Sequence, residues 1–264
     1  MSKMKLGVNI DHVAVLREAR RVNDPDILQA LYVACANGAD QITIHLREDR
    51  RHIQDSDAKN IIQHSSLPVN LECSINKEIL DIVCKLKPHR ATLVPEKREE
   101  VTTEGGLDVF TYAREIAFGV EQLHDSLIPV SLFVDPSIAA MNKSKELGAE
   151  MVELHTGTFA NLYAMLNSSL PYSNHSVKEF ELPRFELSER LEKALEDIKK
   201  AAVHANKIGL EVAAGHGLNY HNVAEMMKIK EIIELNIGQC IIARSVFSGL
   251  ADAVKEMKRL TSRP

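Results

Sequence analysis

Residues 41–47, QITIHLR, decide how this chain folds. Ile42, Ile44 and Leu46 alternate with Thr43, His45 and Arg47, and a period of two is the signature of a strand. Taken alone, the stretch reads as an edge strand with one wet face. It runs into a charge cluster, Glu48, Asp49, Arg50, Arg51 and His52. The rest of the chain changes that reading.

The same punctuation recurs in KLGVNID (5–11), PVNLECS (68–74), RATLVP (90–95), PVSLFVD (129–135), MVELHTG (151–157), EVAAGHG (211–217) and IIELNIG (232–238). With QITIHLR these make eight strand candidates, most of them followed by a helical pattern. A helix is expected over about 26–37, stopped by Gly38. In DPSIAAMNKSKELG (135–148), Asp135 reads as the N-cap, Pro136 as the first helical residue and Gly148 as the stop. Over 188–208, Leu191, Leu195, Ile198, Ala202 and Ile208 fall near helical spacing.

Strands alternating with helices imply a parallel sheet. Eight such units in one chain of 264 residues predict a (β/α)8 TIM barrel, a single domain spanning 1–264. An open doubly wound sheet is the runner-up, but no G-x-G-x-x-G follows the first strand. Residues 157–190 are long for a βα loop and read as an insertion: a lid, an extra helix or a surface elaboration.

Composition narrows the function classes. The chain is 45% hydrophobic and 26% charged, which suits a globular protein with a substantial core. Its net charge of −5 gives no basic footprint for nucleic acid. No apolar run approaches the ~18 residues that span a bilayer. Cys35, Cys73, Cys84 and Cys240 form no C-x-x-C pair, and no leader sequence is evident. They are expected to be reduced thiols in a cytoplasmic protein.

In a barrel, the alternation carries a second message. The apolar sets Leu6, Val8, Ile10; Ile42, Ile44, Leu46; Val69, Leu71, Cys73; Val130, Leu132, Val134; and Val152, Leu154 must face the helices. The interior then receives Asn9 and Asp11; Thr43, His45 and Arg47; Asn70, Glu72 and Ser74; Ser131, Phe133 and Asp135; and Met151, Glu153 and His155. The seventh strand does not sort cleanly. Barrel interiors are ordinarily filled by bulky aliphatics. Burying ions there costs several kcal/mol each unless they are paired. A lone inward histidine is most often a satisfied core residue, and a lone Glu153 is half of an internal ion pair as often as not. The same costly choice on several strands, near their C-terminal ends, points instead to an active site.

GHGLN (215–219) and NIGQ (236–239) close the last two strands, where glycines and helix starts suit a phosphate. GHG by itself is only a turn motif. Arg20, Arg47, Arg50, Arg51 and His52 offer a second anion-binding set, with Arg47 on the inward register. Two anion sites suggest a bisphosphate or two phosphorylated substrates. No H-x-H or H-E-x-x-H is present, so metal is not expected. No strand ends in lysine, and Lys97 is the nearest Schiff-base candidate. General acid–base chemistry by His and Glu remains.

The segments LGVNIDHVAVLREARR (6–21), ITIHLREDRRHIQD (42–55), VNLECS (69–74), LVPEKREEVTTEGGLDV (93–109), VSLFVDP (130–136), VELHTG (152–157), AAGHGLNYHNV (213–223) and ELNIGQCIIARSV (234–246) resemble, in order, the pyridoxine 5′-phosphate synthase family. The resemblance implies a (β/α)8 barrel that joins 1-deoxy-D-xylulose 5-phosphate to 3-amino-2-oxopropyl phosphate. It implies no metal and no organic cofactor. His45 and Glu72 would be proton acceptors, His216 a proton donor, and Glu153 a transition-state stabiliser. Asp11, His12, Arg47, His52 and Thr102 would hold the deoxyxylulose phosphate. Asn9, Arg20, Gly217, Gly238 and Gln239 would hold the aminoketone phosphate. The family's homo-octamer is the expected assembly. Gln239 stands where the family usually has histidine, and 157–190 reads as longer than in typical members. Another phosphosugar isomerase or aldolase on the same fold, or a non-catalytic metabolite binder, are the competing functions.

Overall fold

The computed structural model describes residues 4–96 and 105–262. Lys97 and Thr102 lie outside them. β1 (Lys5–Asn9) leads into two helices, α1 (Asp11–Glu18) and α2 (Ile27–Ala36). Then come β2 (Gln41–His45), α3 (Asp55–His64), β3 (Val69–Cys73), α4 (Lys77–Leu86), β4 (Arg90–Leu93), α5 (Ala113–Asp125), β5 (Val130–Val134) and α6 (Ile138–Glu146). The chain continues with β6 (Met151–His155), α7 (Gly157–Asn167), α8 (Arg184–Lys207), β7 (Glu211–Gly215), α9 (Val223–Met227), β8 (Glu234–Ile237), α10 (Gln239–Ser248) and α11 (Leu250–Leu260).

Neighbouring strands pair in chain order, all of them parallel. β1 meets β2 on one side and β8 on the other, so the sheet closes. Parallel neighbours need crossovers, and the helices supply them on the outside. The outward sets are fully buried between sheet and helices: Leu6, Val8, Ile42, Ile44, Val69, Leu71, Val130, Leu132, Val152 and Leu154 among them. The fold is therefore the expected (β/α)8 barrel.

Local chemistry sets the helix starts. Asp26 accepts the Leu28 N–H at 2.9 Å and Asn76 accepts that of Glu78 at 2.9 Å. One expected cap is wrong. Ser137, not Asp135, caps α6, its Oγ accepting the Ala140 N–H at 3.1 Å. Asp135 instead accepts the Gly106 N–H at 2.9 Å. Gly148 does end that helix, at φ +90°.

The segment after β6 is folded. It forms α7, two single 3-10 turns (Leu170–Tyr172 and Lys178–Phe180) and the first turns of α8, which starts at Arg184 rather than 188. Leu162, Met165, Phe180 and Leu187 bury one another as a small second core. This layer leans over the β5 and β6 end of the barrel.

The seventh strand fails to alternate for a steric reason. Val212, Ala213 and Ala214 are fully buried, so both faces are covered. A Cβ on Gly215 would sit 2.1 Å from Glu153 Oε1. The space a seventh-strand side chain would fill belongs to its neighbour.

Candidate active site

A cavity of about 330 Å³ opens at the C-terminal end of the barrel. Asn9, Asp11, His12, His45, Arg47, Glu72, Glu153, His216, Gly217, Gly238 and Gln239 all line it. The ends of six strands, β1, β2, β3, β6, β7 and β8, bring these groups together.

On the β2 side, Asp11 opens α1 and accepts the His45 N–H at 2.9 Å, while Asn9 Nδ2 donates to the other Asp11 oxygen at 3.0 Å. Those bonds lock the first two strand ends together. His45 Nε2 lies 3.1 Å from Glu96 Oε1, and Glu96 also accepts the Glu48 N–H at 3.0 Å. A carboxylate accepts, so Nε2 carries the hydrogen and Nδ1 faces elsewhere. Glu96 was not anticipated. It follows Pro95, past the end of the alternating pattern.

Arg47 is 3% exposed, with Nε 3.2 Å from Asp49 Oδ1. Partial burial works against the Asp49 charge. Hydrogen bonds from Arg51 and the charge of Arg47 outweigh it and hold the carboxyl at about 2. Two expected residues among those described do not line the cavity. His52 is buried, its ring meeting His45 edge-on at 6.2 Å. Arg20 is exposed in the turn after α1. Thr102 is not among the described residues. Arg50 and Arg51 also turn outward, to Asp55 at 2.8 Å and Asp49 at 2.7 Å.

The β7 and β8 side is built differently. His216 follows β7 at φ +78° and Gly217 at φ +77°, a tight left-handed turn. Thr156 Oγ1 lies 2.7 and 2.6 Å from the carbonyl oxygens of Gly215 and His216, which share its one hydrogen. A Cβ on Gly217 would meet Ala160 Cβ at 2.6 Å, and one on Gly238 would meet Asn9 Cβ at 2.8 Å. Gly238 precedes α10, whose first residue is Gln239. Gly238, Gln239 and Cys240 line the cavity, so that helix start borders it with the partial positive charge of a helix N-terminus.

Below the mouth lies a polar floor. Asn236 Nδ2 donates to Glu153 Oε2 at 2.7 Å, and its Oδ1 accepts from Thr43 Oγ1 at 3.1 Å. Glu234 accepts from Gln41 Nε2 at 3.0 Å and is paired with Arg90. Burial pushes the Glu153 carboxyl up, to about 7. The Asn236 hydrogen bond opposes that, and the Glu234 charge adds to it. Neither Arg90 nor Glu234 was foreseen, because RATL and IIELNIG were not sorted by face. His155 and Phe133 complete the cavity wall. Among the described residues, no cluster of three or more His, Cys, Asp or Glu could hold a metal ion, and no helix is long and apolar enough to cross a membrane.

Comparison with known proteins agrees with this geometry. The chain is 78% identical over 260 residues to the pyridoxine 5′-phosphate synthase of Sulfurimonas denitrificans, covering 98% of this chain and 100% of that one. It is 62% identical to the enzyme of the same name from Nitratiruptor sp., with 97% of both chains covered. Among solved structures, N-(5′-phosphoribosyl)anthranilate isomerase from Pyrococcus furiosus overlays with a TM-score of 0.57 at 14% identity, covering 98% of each chain. Thiamine phosphate pyrophosphorylase from the same organism gives 0.55 at 13% identity, covering 98% and 95%. Those two likenesses concern the fold alone. Residues 6–263 match the family described as pyridoxal phosphate biosynthesis protein PdxJ, and the chain belongs to that family.

Proposed function

We propose that this barrel is a pyridoxine 5′-phosphate synthase, joining 1-deoxy-D-xylulose 5-phosphate to 3-amino-2-oxopropyl phosphate and releasing inorganic phosphate and water. One observation carries the proposal beyond family membership. His45, Glu72, Glu153 and His216 converge on one cavity, between an arginine-bearing side and a glycine-and-helix-start side. That is acid–base equipment flanked by two means of holding phosphate.

In this scheme His45 and Glu72 take protons and His216 gives one. Glu153, protonated over much of the range up to about 7, donates a hydrogen bond to charge developing above it. Asp11, His12, Arg47, His52 and Thr102 serve the deoxyxylulose phosphate. Asn9, Gly217, Gly238 and Gln239 serve the aminoketone phosphate, and Arg20, exposed in the turn after α1, would have to reach it from outside the cavity. The glycine side grips the phosphate that stays on the product; the Arg47 side lets the other leave. Gln239 keeps the backbone N–H contact of that position and forgoes an imidazole. The amine comes from the substrate, so no Schiff-base lysine and no cofactor enter the scheme.

A cytoplasmic setting fits the four free cysteines, of which Cys73 is fully buried with its thiol pushed far up by burial. Self-association, to the family's octamer, is supported by exposed apolar groups such as Phe247, 93% exposed, and Val246, 68%. Light scattering reads the number directly.

The test is a product assay. Protein is incubated with both phosphorylated substrates, and each is omitted in turn. Pyridoxine 5′-phosphate that requires both, detected by mass spectrometry, is the expected result. Turnover of a single sugar phosphate with no added amine would replace the proposal with an isomerase or aldolase.

A further inference from the structure

His155 ends β6, is 5% exposed, and has no part in the scheme above. Its Nδ1 lies 3.1 Å from Asp135 Oδ1. Its Nε2 is buried without a hydrogen-bond partner. A histidine kept only for packing satisfies both nitrogens, because an orphaned buried one costs about 1–3 kcal/mol. Here the carboxylate accepts from Nδ1–H, which leaves the buried Nε2 lone pair unsatisfied. An imidazole fixed by a carboxylate behind it, with its other nitrogen unsatisfied in a ring that lines a cavity, is the arrangement of a general base and its orienting group.

The surroundings agree. His155 lines the same cavity as Glu72, Glu153 and His216. Its ring meets that of His216 edge-on at 5.1 Å and that of Phe133 at 5.2 Å. Charged and titratable neighbours come from each packed element: Asp135 after β5, Glu153 on β6 and His216 after β7. A second cavity of about 600 Å³, which His155 also lines, brings Arg190, Lys193 and Asp197 of α8 and Glu179 to its far side. Ser137, not Asp135, caps α6, and Asp135 Oδ1 accepts the Gly106 N–H at 2.9 Å as well as facing His155.

We propose that His155 is a further acid–base residue of this site and that Asp135 is its positioning residue; the inference rests on the condensation proposed above. Nε2 takes a proton as a C–H or N–H bond of the joined substrates breaks, and the imidazolium is stabilised by Asp135. The same proton then passes to a departing hydroxyl. The C–O bond breaks with its electron pair on oxygen, water leaves, and the imidazole is neutral again. No outside reductant or oxidant is needed.

The experiment compares the unmodified protein with His155→Gln and Asp135→Asn, using both substrates. His155→Gln should lose about 100-fold in kcat with both KM values within about threefold. Asp135→Asn should lose about tenfold. Its loss should fall on kcat, with both KM values within about threefold. The ¹⁵N signature of the His155 ring by NMR should show the Nδ1–H tautomer in the unmodified protein and a mixture of tautomers in Asp135→Asn, which reads the orienting bond without any turnover. It also decides the matter if His155→Gln does not fold. Near-normal kcat in His155→Gln, or an unchanged tautomer in Asp135→Asn, overturns the inference alone. No product from the unmodified protein sinks the condensation and this inference together.

Discussion

The two sides of the cavity mouth hold anions by opposite means. The β2–β3 side uses long charged side chains. Arg47 is buried at 3% exposure and braced by Asp49, and His45 is braced by Glu96. The β7–β8 side uses almost no side chain. It offers a left-handed turn at His216 and Gly217, and the start of α10 behind Gly238. Side-chain charge can be tuned or released by its partners. Backbone N–H groups are fixed once the turn is made. A reaction that expels one phosphate and keeps another is served by that asymmetry.

The largest expected effect separates chemistry from both grips. Glu72→Gln should lower kcat about 10³-fold and leave both substrates bound. Loss of binding instead would mean that Glu72 belongs to the β3 grip, and isothermal titration with each substrate distinguishes the two. The next lies beneath both sides. Glu153 has a carboxyl pKa of about 7 in the fold against an ordinary 4.5, so the unfolded chain gives up its proton first as pH rises. Folding stability contributed by this group is intact below 4.5 and is lost on the way up to about 7. Glu153→Gln should therefore gain stability over the parent across that window, up to about 3 kcal/mol. Denaturant melts at pH 4.5 and 8 measure it, and a gain at the lower pH alone would reverse the sign.

Arg47→Ala should raise KM for the deoxyxylulose phosphate about 50-fold and spare the aminoketone phosphate, as loss of a charge-assisted contact does. Equal losses would erase the division between the sides. Gly238→Ala is the gentlest probe. Its new Cβ would press on Asn9 Cβ at 2.8 Å and push the start of α10 away. A roughly tenfold rise in KM for the aminoketone phosphate alone is expected from one weakened helix-start contact.

This contrast also governs what the sequence could disclose. Alternation named the inner faces of β2, β3 and β6, because one face was apolar and the other was not. His45, Arg47, Glu72 and Glu153 were legible for that reason. β7 was opaque, since its faces are both small and buried. Glu96 follows a proline beyond any periodic run. Arg90 and Glu234 satisfy each other 144 residues apart, a pairing that only closure of the barrel creates. His155 was placed on the right face, but its task depends on Asp135, which looked like a helix cap. Arg20 looked like a match to the mouth and lies exposed outside it. Composition tells which residue types are available; the turn at Ser137 decides where Asp135 goes.

Gly7 and Gly215 have a consequence for how this barrel can change over time. A methyl at Gly7 would fall 2.0 Å from Asn236 Oδ1, and one at Gly215 would fall 2.1 Å from Glu153 Oε1. The polar floor occupies volume that two other strands have surrendered. Returning that floor to aliphatic residues requires gains on β1 and β7 together with losses on β6 and β8. Every single step meets either a collision or a void. Four positions are thus bound into one inherited unit, and sequences that drift freely on the helices are expected to hold these four together.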